Sequence, residues 1–158
     1  MSKDSSPVTV RDATIEDADV IADFNIKMAV ETEDYVLEPA VIGAGVRKGM
    51  ARPDLCRYFV AEVDGRVVGT CMITYELSDW RNGLLWWIQS VYVDKEYRGR
   101  GIFRALYHYV ERLATEDPEV HGLRLYVMEN NHTAMRTYEA MGMSEMPYRV
   151  YKTDSPDV

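Results

Sequence analysis

The sequence predicts an α/β (α+β) chain, a mixed sheet of about six to seven strands flanked by about four helices. The expected element order is β-α-α-β-β-β-α-β-α-β. Three observations carry it. Asp64-Gly65 stands between two β-rich runs, which is the chemistry of a two-residue hairpin turn. The run Leu84–Val93 leads through a short basic glycine loop, Arg98-Gly99-Arg100-Gly101, into Phe103, Leu106, Tyr107, Val110, Leu113 and Ala114, which recur at helical spacing. An alternating run from Gly122 to Met128 follows, and a strand-helix-strand crossover places it parallel to its predecessor.

Taken in order, residues 1–6 are polar and read as a disordered tail, with a single domain over 7–152 and a second tail at 153–158. Val8–Ala13 alternates as a first strand. Thr14, three residues before Asp17, approaches a capping box, and Ala18, Ile21, Phe24, Asn25 and Met28 form the buried stripe of the helix it opens. Glu38-Pro39 suits the start of a second helix, which Gly43, Gly45 and Gly49 weaken. Between these helices lies the acidic segment Glu31-Thr32-Glu33-Asp34-Tyr35. Arg57–Val63, Arg66–Tyr75 and Leu84–Val93 make a three-stranded antiparallel meander. Pro118 ends the helix that follows the glycine loop, Asn131 caps the next helix, and Gly142 closes it. Met146–Lys152 reads as a final strand.

At 158 residues the chain supports one hydrophobic core. No apolar run approaches membrane-spanning length, and no export signal is visible at the N-terminus. With only Cys56 and Cys71, a reduced, cytoplasmic protein is the default. His108, His121 and His132 lack metal-ligand spacing, so no metal is expected. The formal charge of −8 argues against a nucleic-acid partner. An acidic protein with one basic loop suits an anionic ligand at that loop, and it permits a cationic acceptor elsewhere.

The glycine loop is the chemical centre. A strand feeding a helix through two glycines directs free backbone N–H groups and the positive end of a helix dipole at one point, an anion site suited to a diphosphate. The residues do not make a P-loop, and Arg104 stands where a dinucleotide fingerprint needs its third glycine.

Arg98-Gly99-Arg100-Gly101-Ile102-Phe103 resembles the Gln/Arg-x-x-Gly-x-Gly/Ala signature of the GNAT superfamily of acyl-CoA-dependent N-acetyltransferases. Asn131, Ala134, Tyr138, Gly142 and Met143 resemble that family's second run, Asn-x-x-Ala-x-x-x-Tyr-x-x-x-Gly-Phe/Met. The two motifs stand in the family's order and separation, and the resemblance spans residues 8–152. It implies a single-domain GNAT-like fold and acetyl-CoA as cosubstrate. It also implies that the diphosphate meets the N–H groups of Arg100, Gly101, Ile102 and Phe103, with Arg98 and Gly99 completing the loop. The pantetheine would lie along Val91, Tyr92 and Val93 as an added strand would, with the oxyanion near the Val91 N–H. Asn131 would hydrogen-bond the cofactor, and Tyr138 would protonate the departing thiolate.

One residue departs from the pattern: Phe103 stands in the motif's last small position. Its place on the apolar helix face predicts that the ring enters the core while its amide still points at phosphate. The base is less defined by the residues. An alkyl ammonium near pKa ~10.4 must lose a proton, and Glu31, Glu33 or a water chain can take it, whereas Gln89 cannot. The partners expected are acetyl-CoA and an amine acceptor on a small molecule or peptide, with neither nucleic acid nor membrane; a homodimer is compatible with the sequence. Two other classes stay open: a non-catalytic acyl-CoA-binding module, motivated by Phe103 and the undefined base, and a nicotinamide oxidoreductase with Glu129 on a ribose. Arg104 and the meander before the loop disfavour the latter.

Overall fold

The computed structural model describes residues 6–154. The tails expected at 1–6 and 153–158 therefore lie outside the described residues, apart from Ser6, Thr153 and Asp154. The first strand is β1 (Thr9–Asp12), followed by α1 (Ala18–Glu33) and α2 (Pro39–Met50). The meander is β2 (Cys56–Val63), β3 (Arg66–Ser78) and β4 (Gly83–Val93). Then come α3 (Ile102–Glu116), β5 (Val120–Leu125) and α4 (His132–Ala140). The described residues divide into two compact units at Tyr126/Val127.

In the first unit the sheet order follows the sequence, β1-β2-β3-β4-β5. Every pair is antiparallel except β4–β5, which is parallel as a helical crossover requires. The Asp64-Gly65 turn has φ of 50° and 75°, the left-handed pair that a tight hairpin needs. Both faces of the sheet are covered, and neighbouring residues of β2 show it. The Phe59 ring meets Tyr109 of α3 at 5.5 Å, while Val60 packs with Ala18, Ile21, Ala22 and Val46 of α1 and α2. Successive strand residues point to opposite faces, so α3 lies on one side and α1 with α2 on the other. Full burial of Ile21, Leu106 and Val110 contributes about 1.5–3 kcal/mol each relative to exposure.

The ion pairs that fix β1 are partly buried. Arg11 donates Nη1 to Asp17 Oδ2 at 2.7 Å and Nη2 to Glu62 Oε1 at 2.7 Å. Asp17 Oδ2 also accepts the Thr14 N–H at 2.7 Å, completing the expected box ahead of α1. The Arg11 guanidinium accordingly holds the Asp17 carboxyl below the usual carboxylate range.

Three expectations change. The stripe of α3 is headed by Ile102, which is buried with Leu106, Val110 and Ala114; Phe103 is half-buried. The buried line runs at intervals of four residues from position 102, so position 103 falls on its flank, where the ring lies 6.3 Å from that of Tyr107. The strand expected over 122–128 is β5, ending at Leu125. The final strand expected over 146–152 is absent: those residues carry no regular structure, and Tyr148, Val150 and Tyr151 are exposed. Alternation there has no ladder partner to support it, and Pro147 cannot donate a hydrogen bond. The sheet thus has five strands among the described residues, fewer than the six to seven expected.

Candidate active site

The site is built at the far end of β4. Its parallel pairing with β5 runs from Leu84↔Val120 to Ile88↔Leu125 and stops there. β4 continues to Val93, so its edge from Gln89 onward has no β5 partner. Just past the last pair the strand kinks. Ser90 has φ of 51°, a left-handed conformation uncommon outside glycine, and the register with β3 slips between Thr70↔Tyr92 and Met72↔Gln89. This bulge turns the backbone of residues 90 and 91 out of the regular ladder. The result is a strand edge that β5 does not pair, beside a break in the regular ladder, which an extended amide chain can complement. Gln89 is held in place by donating Nε2 to Thr74 Oγ1 at 2.6 Å.

Beyond Val93 the chain is anchored before it forms the loop. The Asp94 N–H donates to Val68 O at 2.8 Å, and Asp94 Oδ1 accepts the Glu96 N–H at 3.0 Å, capping a 3₁₀ turn over Lys95–Tyr97. Gly99 and Gly101 both then have φ of 77°. Beyond its chain neighbours, a Cβ added at either would find no atom of the described residues within 4 Å, so the space above each glycine is open. The first bond of the α3 ladder runs from the Ala105 N–H to Gly101 O, and no side chain caps the helix. The N–H groups of Ile102, Phe103 and Arg104 therefore precede the ladder at the positive end of a 15-residue helix. Open glycines below uncapped amides form a cradle that fits a diphosphate.

The two loop arginines have different surroundings. The Arg100 guanidinium lies over the Tyr97 ring at 4.9 Å from its centroid. Arg98 donates Nε to Val93 O at 3.0 Å and Nη2 to Glu31 Oε2 at 2.7 Å, and it lies 5.3 Å from the Tyr92 ring centroid. The Tyr92 hydroxyl donates to the other Glu31 oxygen at 3.1 Å. Burial, then the Glu31 carboxylate, push the Tyr92 phenol up. Of the sequence-predicted residues, the structure thus brings Glu31, Tyr92, Val93 and Arg98 together beside Gly99–Phe103. Glu33 is exposed at the end of α1 and makes no ion pair among the described residues.

In the second unit, Asn131 Oδ1 accepts the Ala134 N–H at 3.1 Å and caps α4. Tyr138 lies one helix turn on from Ala134, half-buried, and burial raises its phenol above the ordinary range. Sequence reasoning missed two features of the first unit. The Ser90 kink carries no composition signal, and Glu31 and Arg98 are 67 residues apart.

A family model for the acetyltransferase (GNAT) family matches residues 22–143. Among curated proteins, a thialysine N-ε-acetyltransferase of Bos taurus is 34% identical over 95 residues. That match covers 55% of each chain, so the alignment spans about half the length of the curated relative. Among solved structures, a possible acetyltransferase from Clostridium difficile 630 superposes with a TM-score of 0.89 at 42% identity, covering 94% of this chain and 98% of that one. A predicted acetyltransferase with acetyl-CoA from Clostridium acetobutylicum superposes with a TM-score of 0.76, covering 93% of this chain and 96% of the other. At 16% identity that second likeness speaks to fold alone.

Proposed function

The chain belongs to the GNAT acetyltransferase family, and on that premise we propose that it transfers the acetyl group of acetyl-CoA to a primary amine of a small molecule or peptide. The observation that carries the reading is the conjunction at one end of β4: a kinked strand edge that β5 does not pair and, a few residues on, the N-terminal amides of α3 over two open left-handed glycines. Acetyl-CoA supplies an activated thioester on an extended amide arm that ends in a diphosphate. The α3 amides and the loop would hold the diphosphate, and the edge at Val91–Val93 would pair with the arm. The carbonyl would then meet the backbone N–H near Val91, where negative charge develops during attack.

The amine nitrogen attacks the carbonyl carbon, the C–S bond breaks, and the Tyr138 hydroxyl gives its proton to the departing sulfur. A phenol raised by burial stays protonated throughout the neutral range, as a donor to a thiolate must. Solvent then returns the proton to Tyr138. The ammonium proton leaves to Glu33, Glu31 or a water chain. Asn131 would orient the cofactor while it caps α4.

Because a relative carries the name thialysine N-ε-acetyltransferase, an aminoalkyl compound is the first acceptor to try. The experiment is release of CoA thiol from acetyl-CoA over a panel of primary amines, with thialysine and lysyl peptides included. Turnover with any member supports the reading. Tight acetyl-CoA binding with no thiol release across the panel would favour a non-catalytic acyl-CoA-binding module.

A further inference from the structure

Glu31 reaches the glycine loop from another layer of the fold. It sits in the last turn of α1, yet one oxygen takes Arg98 Nη2 at 2.7 Å and the other takes the Tyr92 hydroxyl at 3.1 Å. Arg98 is engaged on three sides, since its Nε donates to Val93 O and its plane lies over Tyr92. The carboxylate raises the proton affinity of Arg98, and burial together with the carboxylate raises that of Tyr92. Both oxygens of Glu31 are therefore occupied, and the Arg98 charge is directed at Glu31.

We infer that Glu31 is a positioning residue, a clamp that ties the end of α1 to Tyr92 and Arg98 and so holds the glycine loop in its cofactor-ready shape. The inference deepens the acetyl-CoA reading and rests on it for the cofactor arm only. A loop with two left-handed glycines has little local preference for one shape, so a distant contact has to select it. A carboxylate that accepts from Tyr92 and from a guanidinium already fixed by a backbone carbonyl can do so. The same clamp joins the loop to the start of the acidic segment 31–35 at the end of α1.

The test uses the full chain and trypsin, which cuts after Arg100 in the loop. Glu31→Gln keeps a hydrogen-bonding group but loses the charge, and it should speed cutting after Arg100 roughly tenfold. Arg98→Gln should do the same, and the double variant should cut no faster than either single one, because both act through one contact. An unchanged rate, multiplying effects, or an equal rise after Arg57 inside β2 would overturn the clamp. In the second arm, Glu31→Gln should weaken acetyl-CoA binding by roughly three- to tenfold while the pH profile of turnover keeps its acid limb. Unchanged or tighter binding overturns the clamp, and loss of the acid limb at unchanged affinity would make Glu31 the base instead. If the unaltered protein fails to bind acetyl-CoA, the proposed function falls and the trypsin arm alone judges the clamp.

Discussion

Gly101→Ala isolates the cradle from the fold, because the protein contains its own control. Gly101 and Gly65 have nearly the same φ, 77° and 75°, and beyond the chain neighbours neither has an atom of the described residues within 4 Å of an added Cβ. Placing an L-residue in this conformation costs about 1–2 kcal/mol at either position. A domain of this size loses about 2–4 °C of Tm per kcal/mol, so both alanine variants should melt about 2–8 °C lower. They should differ in cofactor binding. At Gly101 the methyl would occupy the space above the uncapped α3 amides and push a diphosphate beyond hydrogen-bonding distance. Losing two charge-assisted hydrogen bonds at about 1.5–3 kcal/mol each gives at least about 3 kcal/mol, or a Kd for acetyl-CoA raised ~100-fold or more. At Gly65, in the β2–β3 turn, Kd should stay unchanged. Differential scanning fluorimetry gives the stability arm and titration calorimetry the binding arm. Equal acetyl-CoA affinity in the two variants would show that the glycines serve the turn only and would remove the cradle argument.

Tyr138→Phe should lower kcat about 100-fold, the low end for loss of general acid catalysis, with acetyl-CoA affinity intact; steady-state thiol release alongside calorimetry would check both. Phe103→Ala removes a half-buried ring and should cost about 1–2 kcal/mol of stability by denaturant melt, with Kd held within about threefold because the amide remains. A tenfold gain in affinity would instead mark the ring as an obstruction. Asp17→Asn should destabilise by about 2 kcal/mol near neutral pH, since Arg11 keeps Glu62 as a partner. The folded Asp17 carboxyl titrates below its unfolded value, so its stabilisation is fully present above about pH 4 and disappears as pH falls through the lower folded pKa. The variant and the parent should therefore converge in stability in acid, as urea melts across pH would show.

What could be read from the residues was what local chemistry determines. Asp64-Gly65 fixes its hairpin through the backbone preferences of two adjacent residues, and Pro39 and Asn131 mark helix starts by the same kind of rule. The α3 stripe was legible by period at Leu106, Tyr107, Val110 and Ala114 but not at its head. Ile102 and Phe103 are both apolar, and only the angle at which the loop delivers the helix decides which enters the core. The loop itself was visible as Gly-x-Gly beside arginines. The kink at Ser90 was not, because serine has no preference that announces φ of 51°; the slip between β3 and β4 imposes it. The Glu31–Arg98 contact depends on tertiary folding across 67 residues. The strand expected over 146–152 failed for a related reason: alternation describes a face, and a face becomes a strand only when another backbone lies beside it.

The edge of β4 beyond Gln89 has a bearing on handling. β5 does not pair that edge, and a strand edge left unpaired attracts extended segments, including one from a neighbouring molecule in a concentrated preparation. A molecule that lies along that edge would act as a stopper as well as a reactant. Purification and storage with CoA present should then suppress self-association by mass action, to a degree set by the free CoA concentration.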